Sequence, residues 1–593
     1  MNVLSKLTKL IREISWGGNH LKRPSIPSIL FNSLGYVRGL FLLTRFEKDL
    51  QQASHINLRT LGEIIKVNRE SEFGRQYGFA TLELNQTDAT YKSTVPLHTY
   101  SDFEPAIERL RQGGQNVLCS EPVEFFSVSS GTTGFGKTIP TTKRLRKALT
   151  RAYVDLTNAV PATQIPGAAA PFRGLYMGSA ATRIQYTEAG IPMGSASSEA
   201  LSRVRRIVPL LWSSPWPIFQ VTDTTAQWYL HALFALQEPN LKYLRGTFAG
   251  HLTGWLAFIF ENQAELINDI ASGTIKADLK LTAEVRAELA AKLKPDPERA
   301  TALRQAFAEG EAFVSRVWPT ISYASTVITG SFAAYLPNLK QYLADLPIYT
   351  TVYGASETPI GLNMEVNRPE QYVLLVGLAY FEFIPLETIE EPQPPSHGLD
   401  ELIVGHYYEP VITNGAGLYR YRLGDLVRVE GYHHQAPILS VSHRIGTLLD
   451  LATEKVSEIQ VFRALHESLH NQAGQGNVLV DYTTYARVNM TPPRYEFYLE
   501  LSRHRVDLTL LEKQIDESLC KANAIYMTVR KNNMVVGPPV VKCLAPGSFE
   551  ALTKAREEEA PHIGRNQLKT PRVLANDKWL SFLEERVISQ SDK

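Results

Sequence analysis

Cysteine is almost absent from this chain. It has three in 593 residues, Cys119, Cys520 and Cys543, far apart and odd in number. They offer neither metal-ligand spacing nor a disulfide framework, which fits a reducing compartment. Long apolar runs are missing too. No stretch reads as the roughly 20 apolar residues of a membrane span; the nearest, residues 29–43, is interrupted by Asn32 and Arg38. Charge of one sign is lacking as well, with 61 Lys+Arg against 60 Asp+Glu. That balance argues against a nucleic-acid backbone as the dominant partner. There is no cleavable secretory pattern, so the expected location is cytoplasmic. Internal repeats and low-complexity tracts are absent, and no Ser-His-Asp or Cys-His nucleophile signature stands out.

What is present is ample apolar material, 44% of residues, over a length that exceeds a single core. Cores stop growing at roughly 250–300 residues, so two or three domains are expected. At the N-terminus Val3, Leu4, Leu7, Leu10, Ile11 and Ile14 share one helical face, with Lys6, Lys9 and Arg12 elsewhere on the wheel. This leaves room for a weak peripheral membrane contact, although packing against the body is the plainer expectation.

Residues 1–90 read as mainly helical, and so does the span 225–308. Short β-type runs occur at 124–129, 325–328, 348–353, 372–376 and 380–384. Strands alternating with helices predict an α/β architecture with large sheets. The proline-rich stretch 390–397 reads as a surface connector. From residue 444 short strands and two helices restart the pattern, at 457–469 and 508–523, predicting a second, smaller domain. The aromatic run 212–216 reads as core, and His433-His434 as a turn rather than a catalytic pair.

The most informative stretch is Ser129-Ser130-Gly131-Thr132-Thr133-Gly134-Phe135-Gly136-Lys137-Thr138. Its glycines let backbone N–H groups turn toward an anion, while hydroxyls and a lysine add donors. Residues 131–138 also satisfy G-x-x-x-x-G-K-[ST], the P-loop pattern. A P-loop needs Lys137-Thr138 to open a helix facing the phosphates. Pro140 opposes that by pushing Ile139 toward extended geometry, and Thr141-Thr142 is N-cap chemistry that places the helix later. The expected course is loop, extended segment, helix.

Two further segments bear on the choice. Tyr353-Gly354-Ala355-Ser356-Glu357 follows a β-type run, and Tyr419-Arg420-Tyr421-Arg422-Leu423-Gly424-Asp425 follows a turn at 414–417. With the loop at Ser129, they resemble the three ATP-binding motifs of adenylate-forming enzymes, in the same order. The chain is more closely similar to the GH3 family of acyl acid amido synthetases. Segments carrying that resemblance include Val95-Pro96-Leu97, Thr329-Gly330, Ala379-Tyr380-Phe381-Glu382-Phe383-Ile384-Pro385, Pro546-Gly547-Ser548-Phe549 and Gln567-Leu568-Lys569-Thr570-Pro571-Arg572.

The resemblance implies an adenylate-forming N-terminal domain of mixed sheets and helices over residues 1–443. A mobile α+β C-terminal domain over 444–593 would follow, hinged near Arg444. Ser129, Ser130, Gly131, Thr132, Thr133 and Lys137 match the phosphate loop. Tyr353 would lie near adenine, with Gly354 and Ser356 close to the nucleotide. Glu357 matches the acidic residue that helps hold Mg²⁺, Asp425 the carboxylate that accepts from the ribose hydroxyls, and Lys569 the lysine of the mobile domain. Gly354 stands where plant members commonly carry alanine, and the phosphate loop is shorter than in many of them. At most one of Arg420 and Arg422 would approach the nucleotide.

Such a site needs no nucleophilic side chain, because the substrate carboxylate attacks ATP. Backbone amides, hydroxyls, lysine and Mg²⁺ neutralise the gathering charge. The implied partners are a small carboxylic acid and an amine such as an amino acid. The rival readings are an acyl-CoA ligase or stand-alone adenylating enzyme, a P-loop NTPase, and a non-catalytic nucleotide-binding protein.

Overall fold

The computed structural model describes residues 25–593 except 83, 85–86, 129–136, 181–183, 330–335, 390, 445–448, 450, 452–455, 457, 474–478, 489, 491, 503–505, 533–535, 560–569, 575–576 and 589–593. Ser129, Ser130, Gly131, Thr132, Thr133 and Lys569 therefore lie outside the described residues, as does the amphipathic segment 3–14. The chain divides into two compact units. The larger comprises residues 1–128, 138–423 and 427–441; the smaller comprises 129–137, 424–426 and 442–593.

The described part of the larger unit opens with the helices Ile26–Leu50 and Ala53–Asn68. The first is capped by Ser25, whose hydroxyl accepts from Ser28 N–H at 3.3 Å. Asn32 and Arg38 do not break it. Its 25 residues form one helix long and apolar enough, by length and composition, to cross a membrane. This corrects the sequence reading, which stopped the apolar run at those two residues. Asn32 instead donates to the Ser28 carbonyl one turn back, at 2.8 Å, and so is satisfied within a helix.

A four-stranded parallel sheet runs Leu175–Tyr176, Tyr243–Phe248, Tyr323–Val327, Ile348–Tyr349 in spatial order. The helices Thr224–Gln237, Ala249–Glu261, Gln263–Ser272 and Pro297–Ala308 bury an extensive apolar cluster around Leu230, Trp255 and Trp318. The aromatic run 212–216 joins a neighbouring apolar cluster, with Trp212 and Trp216 against Leu201, Val208 and Phe219.

A second sheet sets the glycine-rich loop. Val123–Val128, which precedes that segment, pairs antiparallel with Thr138–Thr142, which follows it. Pro140 sits in the edge strand of this sheet, where a missing N–H costs little. Thr142 then caps the helix Lys143–Thr150, its Oγ1 accepting from Leu145 N–H at 3.4 Å. The chain thus leaves the loop as a strand and starts the helix at residue 143, contrary to a P-loop. The helix continues through a π-helical turn, Arg151–Leu156, into Thr157–Gln164.

An eight-stranded sheet carries the other two motifs. Its path is Tyr380–Pro385, Tyr407–Thr413, Asp425–His433, Ala436–Arg444, Tyr372–Leu374, Pro359–Leu362, Val352–Gly354, with Tyr421–Arg422 paired to Tyr407–Thr413.

In the smaller unit the strands Leu479–Arg487, Arg494–Leu501 and Val540–Leu544 form one sheet, antiparallel then parallel. Helices Glu458–Ala473 and Leu508–Ala522 supply Leu465, Leu469, Leu511 and Ile515 to its core.

Candidate active site

The second motif is a tight hairpin. Val352–Gly354 pairs antiparallel with Pro359–Leu362, and Ala355 N–H closes the connection onto the Thr358 carbonyl at 3.0 Å. That turn places Glu357 inward, only 5% exposed. A buried carboxylate needs partners, and the third motif provides one. Tyr421 donates its hydroxyl to Glu357 Oε1 at 3.1 Å. Asn414 Nδ2 donates to the Glu357 carbonyl at 2.8 Å, while Asn414 Oδ1 accepts from Ala416 and Leu418 N–H at 2.9 and 3.2 Å. The turn before the third motif is therefore built onto the backbone of Glu357. Gly417 in that turn has φ 102°, and a Cβ there would meet Leu118 at 2.5 Å.

Tyr353 is buried, its ring centroid 5.9 Å from that of Tyr372, whose hydroxyl lies 3.2 Å from Thr329 Oγ1. Ser356 is half-buried in the hairpin connection, and Gly354 is exposed. The space a Gly354 side chain would need is taken by the Tyr153 hydroxyl, carried on the π-helical turn. That contact is a physical reason for glycine at this position.

The four residues Tyr419 to Arg422 hold structure. Tyr419 stacks on Phe73 at 4.2 Å and donates to the Leu118 carbonyl at 2.7 Å. Arg420, at φ 44°, is buried and forks onto Glu382 at 3.0–3.2 Å. Its remaining donors reach the Lys92 and Val95 carbonyls at 2.8 Å and Ser396 Oγ at 3.1 Å. Arg422 pairs with Glu409 at 2.6 Å and with the Ile389 carbonyl at 2.7 Å. Both arginines are thus committed to protein partners. The residue of this motif that sequence reasoning missed is Tyr421, because nothing in the linear string pairs it with Glu357.

Asp425 opens the strand Asp425–His433, directly after Gly424 at φ 80°. Tyr353, Ser356 and Glu357 belong to the larger unit, Lys137 and Asp425 to the smaller. Beside Lys569, the segment is anchored: Thr570 Oγ1 and Arg572 NH1 each donate to Asp481 at 2.5 Å, and Arg572 covers the Tyr482 ring at 4.5 Å. Elsewhere in this unit Glu496 accepts from Arg487 at 2.8 Å and pairs with Lys542 at 3.0 Å. Burial pushes its carboxyl up, but those cations outweigh burial and hold its pKa at about 2. His433 ends the strand Asp425–His433 and His434 opens the turn to Ala436–Arg444, with His433 Nε2 lying 2.9 Å from Glu47.

The chain matches three successive family descriptions: GH3 family N-terminal domain over residues 42–348, central domain over 372–444 and C-terminal domain over 460–578. It belongs to the GH3 family. This GH3 chain is 28% identical to indole-3-acetic acid-amido synthetase GH3.8 of Oryza sativa subsp. indica, over 98% of this chain and 97% of that one. It is also 28% identical to 4-substituted benzoates-glutamate ligase GH3.12 of Arabidopsis thaliana, covering 92% and 98%. Among solved structures, the GH3.15 acyl acid amido synthetase superposes with TM-score 0.81 at 27% identity, covering 92% of this chain and 96% of that one. A 2-hydroxyisobutyryl-CoA ligase in the postadenylation state shares the fold, with TM-score 0.50 at 11% identity and coverage of 89% and 90%. The α/β architecture is that of adenylate-forming enzymes.

Proposed function

We propose that this GH3 chain condenses a small carboxylic acid with an amino acid, using ATP and passing through an acyl-adenylate. Family membership supports a ligase of the AMP-forming, acid–amino acid type. The observation that carries the reading is the hydrogen bond from Tyr421 to Glu357, which welds two of the expected ATP motifs into one buried polar site.

In the first step the acid's carboxylate oxygen attacks the α-phosphorus of ATP. The bond to the bridging oxygen breaks and pyrophosphate leaves. Then the neutral amine attacks the acyl carbon, AMP departs with the acyl oxygen, and the amine loses its proton. Positioning supplies much of that second rate. The donor set suits Mg²⁺: Tyr421 occupies one oxygen of a fixed carboxylate, leaving the other for a hard cation that takes its remaining ligands from phosphates and water. When bound, Mg²⁺ would neutralise phosphate charge.

Residues 129–137 would cradle the phosphates, Asp425 would accept from the ribose hydroxyls, and Lys569 would meet phosphate in one orientation of a mobile C-terminal domain. Three free cysteines fit a cytoplasmic setting. Relatives are named for indole-3-acetic acid and 4-substituted benzoates, and one solved structure holds 2,4-DB. These acids open the substrate panel.

The test is pyrophosphate release from ATP across carboxylic acids, repeated with amino acids and with CoA, and with products weighed by mass spectrometry. An acyl–amino acid product with AMP is expected. ADP as the nucleotide product, or a thioester only, would overturn the proposal.

A further inference from the structure

The helix Ile26–Leu50 is fastened to the larger unit along one side. Near its start Ser28 Oγ and Asn32 Nδ2 donate to the Leu210 carbonyl at 3.1 and 3.0 Å. Midway, Arg38 forks onto Asp155 at 3.1 and 2.9 Å. At its end Glu47 meets His433, and Gln435 N–H bonds the Leu50 carbonyl at 3.0 Å. Gly39 permits the close approach, since a Cβ there would meet the Asp155 carbonyl at 2.9 Å.

The opposite side is apolar and open. Ile26, Leu30, Leu34, Val37 and Phe41 are 73%, 59%, 70%, 38% and 66% exposed. At about 100° per residue they fall within roughly 80° of arc, a continuous stripe four turns long. The exposed face then continues into Arg45 and Lys48. Residues 26–46 contain no Asp or Glu. The two acids that follow are engaged elsewhere, Glu47 with His433 and Asp49 with Arg151. In sequence the preceding segment is also apolar and cationic, with Leu7, Leu10 and Ile14 among Lys6, Lys9 and Arg12, one acid at Glu13, then Lys22-Arg23.

Apolar surface on the order of 500 Å² is a large patch for a protein in water. One partner of a standard dimer contributes apolar area of similar size, so the charge around the stripe rather than its extent favours a membrane. Spanning a bilayer would strip the Arg38–Asp155 and Glu47–His433 pairs from their partners and place charge in hydrocarbon. A helix held flat, with an apolar stripe outward, cationic flanks and no exposed acid, matches the interface of an anionic bilayer. We propose that this stripe seats the enzyme on the surface of an anionic lipid membrane, the helix lying in the plane of the headgroups.

Vesicle flotation of the full chain tests this, comparing phosphatidylcholine alone with a phosphatidylcholine–phosphatidylserine mixture. The expected result is co-flotation with the mixture, reduced at high salt. The triple variant Leu30→Gln, Leu34→Gln, Phe41→Gln should float at least tenfold less while keeping its thermal midpoint and pyrophosphate release. Wild type that stays in solution, or equal flotation of the variant, overturns the proposal. So does a concentration-dependent dimer by light scattering that the same variant dissolves, without vesicle binding.

Discussion

Tyr421 and Glu357 show how a single hydroxyl can define a site. A buried hydrogen bond to a charged group is worth about 2 kcal/mol. Tyr421→Phe should therefore weaken Mg²⁺-dependent acyl-adenylate formation by roughly 30-fold, read as a raised Mg²⁺ requirement in pyrophosphate exchange. Glu357→Ala should nearly abolish it; an unchanged Mg²⁺ titration in both would remove the carboxylate from the reaction. Gly354 carries a second prediction. Adding one methyl meets the Tyr153 hydroxyl, the far end of a partly exposed side chain that must swing aside, at a cost of about 1 kcal/mol, the low end for overpacking. Gly354→Ala should lower the melting temperature and the activation rate, and Tyr153→Ala should relieve part of both. Additive effects in the double mutant would mean that the two positions are not in contact. Neither partnership is legible in the primary structure. Tyr421 lies 64 residues from Glu357 in the chain, and its strand is not a neighbour of the Glu357 hairpin in the sheet, so only the tertiary fold brings them together.

At the scale of elements, local chemistry was largely readable. Pro140 and Thr142 placed a strand and then a helix after the glycine-rich loop, because proline geometry and hydroxyl capping act within a few residues. The Ile26–Leu50 helix was misread for the complementary reason. Asn32 and Arg38 look like interruptions in a linear string, yet one turn of helix directs them to Ser28 and Asp155. The buried strand Arg494–Leu501 supports a prediction about acid. Glu496 faces Arg487, Arg494 and Lys542, with Tyr498 and Glu584 beside it. Its folded pKa, about 2, lies below the ordinary 4.5. The stabilisation is therefore complete above pH 4.5 and is lost as pH falls toward 2, about 3 kcal/mol in all. Denaturant midpoints of the whole protein between pH 5 and 3 should fall, and Glu496→Gln should flatten that slope. A slope unchanged by the substitution would assign the acid sensitivity to other carboxylates.

For the whole molecule, the prediction concerns two half-reactions served by two units. Lys569 is expected to act on one of them, beside a segment held by Thr570 and Arg572 on Asp481. A disulfide or bifunctional cross-link between the units in the adenylating orientation should leave pyrophosphate release intact and suppress amide formation by an order of magnitude or more. Equal impairment of neither step would make domain rotation unnecessary. Membership of the GH3 family and the strand that follows the glycine-rich segment were legible in the sequence alone. Each depends on short strings whose glycines, prolines and hydroxyls have local conformational consequences. Tertiary structure alone decided that Tyr421 meets Glu357, which arginines are spent on buried carboxylates, and which face of the Ile26–Leu50 helix is left to the solvent. Those outcomes arise from contacts between residues tens to hundreds of positions apart, and burial, unlike backbone preference, is a property of the packed chain.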